Sequence, residues 1–484
     1  MWMKRIVPAL LPLVLAAGCK DFLDVNENPN SPEDARVDLT LPAVIVTFGH
    51  SVLAGAPALW GGEWTQQFSY NRLTRSYSEI HRYELSSLNA DFPWAFAYAQ
   101  VMNEAHNIMN RTDPQDDGAY HGIAKFLFAW SMSYVTDMWG PVPFTQAFDT
   151  GTPDPVYDDQ KTVYDGVHVL LEEAIAEMQR PATRTPTTND LLYAGNMANW
   201  VKLARTIQAR LHLRMAYAPG ENAADRAQQA LTALQQGFAS NADDADMVYQ
   251  GGEPGWRQPF WTFQDLAAWS ASEYFVELLR GRNDPRLPIA VAPTLSDLPT
   301  LVYRGHQNGG DQVNDSTVSD VGPYFAAENA SLNWASYADL KFIEAEARLI
   351  LNGAAAADAA YRAGIRANME KMGVAQGAIT AYLAARPPLQ NATNPLEELI
   401  TEKYIANFLK AEAWNDWRRT GYPQLQIVEG AVLPGIPQRV RAPASELASN
   451  AVNLAATGIP TGLDGMSVKV WWASQGPSQA AGSR

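Results

Sequence analysis

The chain has 484 residues, a formal charge of −16 and 47% hydrophobic residues with 15 tryptophans, enough apolar material for one large core or two or three smaller ones. An acidic chain of this kind argues against nucleic acid as a partner, which would reward a basic stripe. Its single cysteine excludes a disulfide framework or a thiolate metal site, so stability has to come from packing.

That cysteine is Cys19, in "LAAGCKDFLD". Lys4 and Arg5 form a short basic end, Ile6 to Ala17 is almost wholly apolar apart from Pro8 and Pro12, and small residues follow, which is the layout of an export signal. The run falls short of the ~20 apolar residues a membrane-spanning helix needs. Ala16, Ala17 and Gly18 before Cys19 resemble a bacterial lipobox, with Ala16 standing where leucine is most usual and Leu15 one place early. The expectation is a signal peptide over 1–18, removed to leave Cys19 as an acylated first residue. Several acyl chains on one cysteine give lasting membrane attachment where a single chain does not. The bland alternative is an ordinary secretory signal with an incidental cysteine. "KDFLDVNENPNSPEDA" is polar and Pro-punctuated and reads as a solvated tether, over 19–32, to a folded body at 33–484. No later segment is expected to span a membrane.

The first feature of the body is aromatic. Ten aromatics lie between Trp60 and Tyr98, where the chain average would place about four. Gln66, Gln67, Asn71, Arg72 and Arg75 are interleaved with them and can fork hydrogen bonds onto vicinal hydroxyls. Sugar rings present an apolar face and a polar rim, which flat aromatics and planar amide or guanidinium groups match. Phe92, Trp94, Phe96 and Tyr98 are expected to begin a buried helix instead. Trp64, Gln67, Tyr70, Asn71, Arg72 and Tyr77 are the candidate ligand residues of this first loop, about 60–94.

Helical periodicity dominates from there. "GIAKFLFAWSMSYVTDMW" (122–139) carries one broad apolar stripe through Ile123, Phe126, Leu127, Trp130, Tyr134 and Met138. Further helices are predicted over 162–178, 197–217 and 223–236. "NADDADM" lacks the glycine and terminal glutamate of a calcium loop, so Asp243, Asp244 and Asp246 read as a solvated acidic turn. A second aromatic stretch, about 249–275, contains "GGEPGWRQPFWTFQDLAAW"; its Gly and Pro make it a loop, and loops on rigid scaffolds tend to carry function. Trp256, Arg257 and Trp261 are its candidates, with Gln258 beside them. "YRGHQNGGDQVND" (303–315) either borders the same cleft or forms a surface loop. Helices follow over 338–351 and 355–372, and Asn394, Pro395 and Glu397 cap a last one expected to run to about Arg419. "VKVWW" (468–472) is a short strand candidate.

The helices come in pairs with alanine at the crossings, such as Ala345, Ala347 and Ala360, as tetratricopeptide-type hairpins require. The fold class is therefore mainly all-α, a tetratricopeptide-like helical-hairpin scaffold with long loops and little sheet.

Read in order, "CKDFLDVNENPN", "GIAKFLFAWSMSYVTDMWGPVPF", "YADLKFIEAEARLI", "EKYIANFLKAEAWNDWRRTGYP" and "PQRVRAPASELASNAVNLA" resemble the SusD/RagB family of outer-membrane nutrient-binding lipoproteins, over Cys19 to about Trp472. The resemblance implies four helix pairs forming a curved support, a ligand site built from loops, and a TonB-dependent (SusC-like) transporter barrel beneath, for which the lipoprotein acts as a lid. It implies a cell-surface protein, lipid-anchored in the outer membrane, that captures oligosaccharide and is not an enzyme. Two other classes stay open: a lipid-anchored all-helical glycoside hydrolase, which needs two carboxyls about 5–10 Å apart, and a tetratricopeptide adaptor for protein partners. Glu344 with Glu346 and Glu397 with Glu398 point apart on their helices and look like solvated faces. No cofactor is implied. No histidine pair has zinc spacing, and His106, His121, His168 and His212 sit within helical patterns.

Overall fold

The computed structural model describes residues 36–71, 79–262 and 269–477, and the expected signal, Cys19, the expected tether, Arg72 and Tyr77 lie outside them. The described chain is mostly helical. Its main helices are α1 (Val37–Thr47), α2 (Ala56–Trp64), α3 (Ser87–Ala95), α4 (Asn103–Asn110), α5 (Gly118–Trp139), α6 (Gln160–Met178), α7 (Met197–Arg214), α8 (Ala223–Leu234), α9 (Glu273–Gly281), α10 (Tyr337–Asn352), α11 (Ala354–Lys371), α12 (Gln376–Ala385), α13 (Pro395–Ala406) and α14 (Glu412–Thr420). Polar caps set their starts: the side chains of Asp159, Asn196, Asn222, Ser336 and Asn394 accept first-turn N–H groups of α6, α7, α8, α10 and α13. α5 packs on α6, α7 on α8, α10 on α11 and α13 on α14, and successive pairs touch through α6 with α7, α8 with α10 and α10 with α13. The expected small residues lie at these crossings, with Ala345, Ala347 and Ala360 all buried. Gly122 is needed where α5 meets α6, since a Cβ there would sit 2.6 Å from Met178 Cγ and 2.9 Å from the Ala174 carbonyl oxygen.

Sheet is confined, among the described residues, to two antiparallel ribbons, β1 (Phe68–Tyr70) with β3 (Trp269–Ala271) and β2 (Ala245–Met247) with β4 (Leu332–Ala335).

Several expectations change. α5 is buried on all sides rather than along a stripe, because α1, α4, α6 and α7 all pack on it. The helix predicted from 394 to about 419 breaks into α13 and α14. The Gln67 amide donates to the carbonyls of Tyr404 (3.1 Å) and Asn407 (3.3 Å) and accepts from the Leu409 N–H (2.9 Å), holding Leu409 at φ 63°. A side chain from 340 residues away thus takes backbone groups that a continuous helix would use. Residues 468–472 are not a strand: Arg439 donates to the carbonyls of Val468 (2.9 Å) and Lys469 (3.2 Å), and Trp471–Ala473 is a 3₁₀ turn. The segment Val37–Trp64 is, against expectation, long and apolar enough to cross a membrane by length and composition, with a mean hydropathy of 1.6. Here it belongs to the core, where Phe48 packs 5.0 Å from Trp130 and 5.1 Å from Trp334, centroid to centroid. In the aromatic helix start Trp94 is buried and Phe96 and Tyr98 half-buried, but Phe92 is 66% exposed on the outward side of α3.

The acidic residues expected at solvated positions hold the scaffold together. Asp243 pairs with Lys202 at 2.7 Å, and Asp244 and Asp246 both pair with Lys371 at 2.6 Å. Glu346 is fully buried against Arg419, which also donates to Asp416 at 2.8 Å, and Asp416 takes Lys403 at 2.9 Å. Arg210 joins α7 to Asp339 of α10, Arg214 joins Asp137 and Glu412, and Glu402 takes Arg286 at 2.7 Å. The segment "EKYIANFLKAEAWNDWRRT" is therefore a buried ion-pair spine across several helix pairs. Removing one member would strand its partner's charge in the interior, at about 3–5 kcal/mol.

Candidate functional site

The ribbon of β1 with β3 joins the two aromatic stretches. Its register sets Phe68 opposite Ala271, Ser69 opposite Ser270 and Tyr70 opposite Trp269. Phe68 stacks on Trp269 at 4.8 Å and 12°, and Tyr70 meets the same indole edge-on at 5.2 Å.

On the first stretch, Trp64, Gln67, Tyr70 and Asn71 are buried. Trp64 is 0% exposed, lies 5.0 Å from Trp414 and donates through Nε1 to the Ile80 carbonyl at 3.2 Å. Asn71 donates to Asp315 at 2.7 Å and accepts from the Val313 N–H at 2.9 Å, so it ties the end of the 303–315 loop to β1. These four side chains hold the framework, and in this conformation Trp64 offers no ring face to a ligand. Arg72 and Tyr77 follow directly but lie outside the described residues.

The second stretch turns outward. Gly251 and Gly252 (φ 71° and 84°) make a reversal that an L side chain would strain, closed by the Gly251 N–H on the Trp256 carbonyl at 2.9 Å. Trp256 is 55% exposed. Arg257 is half-buried, its guanidinium 4.7 Å above the Trp261 ring, paired with Glu328 at 2.7 Å and donating to the Gly252 carbonyl at 2.9 Å. The neighbouring Gln258 is buried, takes the Trp261 N–H at 2.9 Å, and its own N–H binds the Glu328 carbonyl at 2.9 Å. A flat exposed indole and a fixed guanidinium on an otherwise pinned loop make a surface suited to stacking and planar hydrogen bonding.

A family model described as starch-binding associating with outer membrane matches residues 61–443. The chain belongs to the SusD-like family. Solved structures agree on the fold of this SusD-like chain. A chitin-binding protein is 25% identical, with a TM-score of 0.78 over 91% of this chain and 100% of its own. A chitin-binding SusD homolog from Flavobacterium johnsoniae is 23% identical, with a TM-score of 0.77 over 90% and 98%. A SusD/RagB family protein from Bacteroides thetaiotaomicron is 22% identical, with a TM-score of 0.77 over 91% and 99%. No curated protein matches the chain.

Beneath the SusD-like chain's ribbon lies a buried polar layer that sequence reasoning missed. Ser69 Oγ is 2.8 Å from His306 Nδ1, whose Nε2 is 3.0 Å from the Asp311 carbonyl. Asn308 donates to the Glu63 carboxyl (3.0 Å) and to the Phe68 carbonyl (2.8 Å). Burial pushes the Glu63 carboxyl up to about 8, against the pull of the Asn308 amide and the Tyr70 backbone, which favour the charged form. Burial also holds His81 down to about 4, with Arg82 and His306 adding repulsion. The only advance signal was the polar richness of 303–315. Ser69 and His306 are both buried, so this pair is closed to a substrate in this conformation. Among the described residues no group of three or more His, Cys, Asp or Glu could hold a metal ion.

Proposed function

We propose that the chain is a cell-surface lipoprotein that captures an oligosaccharide through the Trp256–Trp261 loop and hands it to a TonB-dependent outer-membrane transporter. The observation that carries the reading is the exposed Trp256 beside the Arg257–Trp261 pair on a loop tied to the scaffold through Glu328. Family membership supports carbohydrate as the ligand class, and the chitin-binding neighbour makes chito-oligosaccharides the first candidate. Arg72 and Tyr77, next along the chain from Asn71, belong to the proposal as further contacts. Trp64, Gln67, Tyr70 and Asn71 support the site from below rather than touching sugar in the conformation described. Cys19 supplies the anchor, and the polar stretch 19–32 is the tether.

Calorimetry of the mature chain against chito- and cello-oligosaccharides tests the binding step. Trp256→Ala is expected to weaken binding by about 1–2 kcal/mol, through loss of one stacking face. Steady release of shorter sugars on long incubation would favour a hydrolase instead. Cys19→Ser should move the protein out of the membrane fraction. Mild solubilisation and affinity capture should recover a transporter barrel, and recovery of the lipoprotein alone at native expression would refute the handover.

A further inference from the structure

Behind the proposed glycan loop the fold leaves a partly open cavity. The cavity, of about 250 Å³, lies between that loop, the ribbon of β2 with β4, the end of α11 and the α13–α14 junction. At about 30 Å³ per water it has room for roughly eight waters, and so for a compact solute of about a dozen heavy atoms. Two lysines line it, and they are placed differently. Lys371 is neutralised twice, by Asp244 and Asp246. Lys410 donates to the Asn333 side-chain carbonyl and has no carboxylate within ion-pair distance among the described residues. Elsewhere the interior lysines and most interior arginines have acidic partners: Lys403 has Asp416, Arg210 has Asp339, and Arg419 has Glu346 and Asp416.

Apart from the hydroxyls of Tyr324, Ser331 and Ser336, which can both donate and accept, the spare side-chain hydrogen-bonding capacity of the walls is mostly donor. An ammonium has three N–H groups, and Lys410 uses one. Asn368 accepts from Arg286 through its oxygen, and Gln258 accepts from the Trp261 N–H through its own, leaving both amide nitrogens without a protein acceptor among the described residues. Asp246, the acidic wall residue, has its carboxylate committed to Asn333 and Lys371. Sugar hydroxyls need acceptors as well as donors, which the lining hydroxyls can supply, whereas a carboxylate needs donors alone. The unused donors of Lys410, Asn368 and Gln258 therefore favour a ring that carries a carboxylate over the same ring without one. We infer that this cavity binds a small carboxylate-bearing solute, of the size of a single acidic sugar, with Lys410 as its counter-charge. The electrostatics agree. Burial draws the Lys410 ammonium down to about 8, Asp339 and Asp244 holding it up while Arg210 and Lys371 push it further down. A carboxylate beside it would restore the charged form, so binding should weaken as pH rises through 8.

The probe is glucuronate set against glucose, which share a ring and differ by the carboxylate, titrated into the full mature chain by ligand-observed NMR. Glucuronate is expected to bind at least tenfold more tightly than glucose. Lys410→Met should remove that preference and Lys410→Arg should retain it. Thermal melts of both variants establish that they fold. Neutral oligosaccharide binding should be unchanged in Lys410→Met, so failure of the loop reading and failure of this one are separable. Equal binding of the two sugars, or a glucuronate preference that survives Lys410→Met, would overturn the inference.

Discussion

Two aromatic, amide-rich segments that read alike in sequence end on opposite sides of the protein's surface. Residues 60–71 are packed inward: Trp64 is wedged against Trp414, Gln67 is bound to three backbone groups of the α13–α14 junction, and Asn71 is bound to the 313–315 segment. Residues 251–261 turn outward, with Trp256 more than half exposed and Arg257 braced by Glu328. The lesson concerns what a tryptophan beside a glutamine or an arginine means. The same pair of residue types can pin a framework or present a ligand face, and the deciding factor is whether another segment arrives to cover the ring.

That contrast can be broken by mutation. Trp64→Ala should have the largest effect, about 3–5 kcal/mol lost in chemical denaturation, since a fully buried indole leaves a cavity. A loss below about 1 kcal/mol would mean that the first stretch is not framework. Glu63, on the same buried side, should show itself through pH. Its folded-state value of about 8 lies above the ordinary 4.5, so the stability it contributes is full below 4.5 and lost as pH rises to 8. Glu63→Gln should therefore gain on the parent across that window by a few kcal/mol and then level off, as measured by urea melts at stepped pH. His81 gives the opposite limb: held down to about 4 from 6.5, it contributes stability above 6.5 that is lost as pH falls through 4. Gln67→Leu should cost about 1–3 kcal/mol by leaving backbone groups of the junction unpaired. The smallest change is expected on the outward side. Trp256→Ala should alter stability by no more than about 0.5 kcal/mol while weakening glycan binding, and a large loss of stability would make it a wedge like Trp64.

The helix pairs were legible because they depend on local pattern. The apolar spacing, the cap at Asn394 and the alanines at the crossings are all written within a few residues of where they act. The acidic residues were misjudged for the converse reason. Glu346, Asp243 and Asp244 look solvated beside their own neighbours, but their partners Arg419, Lys202 and Lys371 come from distant segments. The break at Leu409 was invisible for the same reason, since its cause is Gln67.

By itself the sequence determined a helical-hairpin scaffold and a family, because periodicity, capping and the order of motifs act at short range or survive as a linear record. The tertiary structure alone decided which aromatics are covered, which carboxylates are paired and that Lys410 faces a cavity with no carboxylate within ion-pair distance among the described residues. Burial and charge pairing depend on which distant segments meet, and contacts such as Gln67 with Leu409 or Asn71 with Asp315 leave no mark in either local pattern.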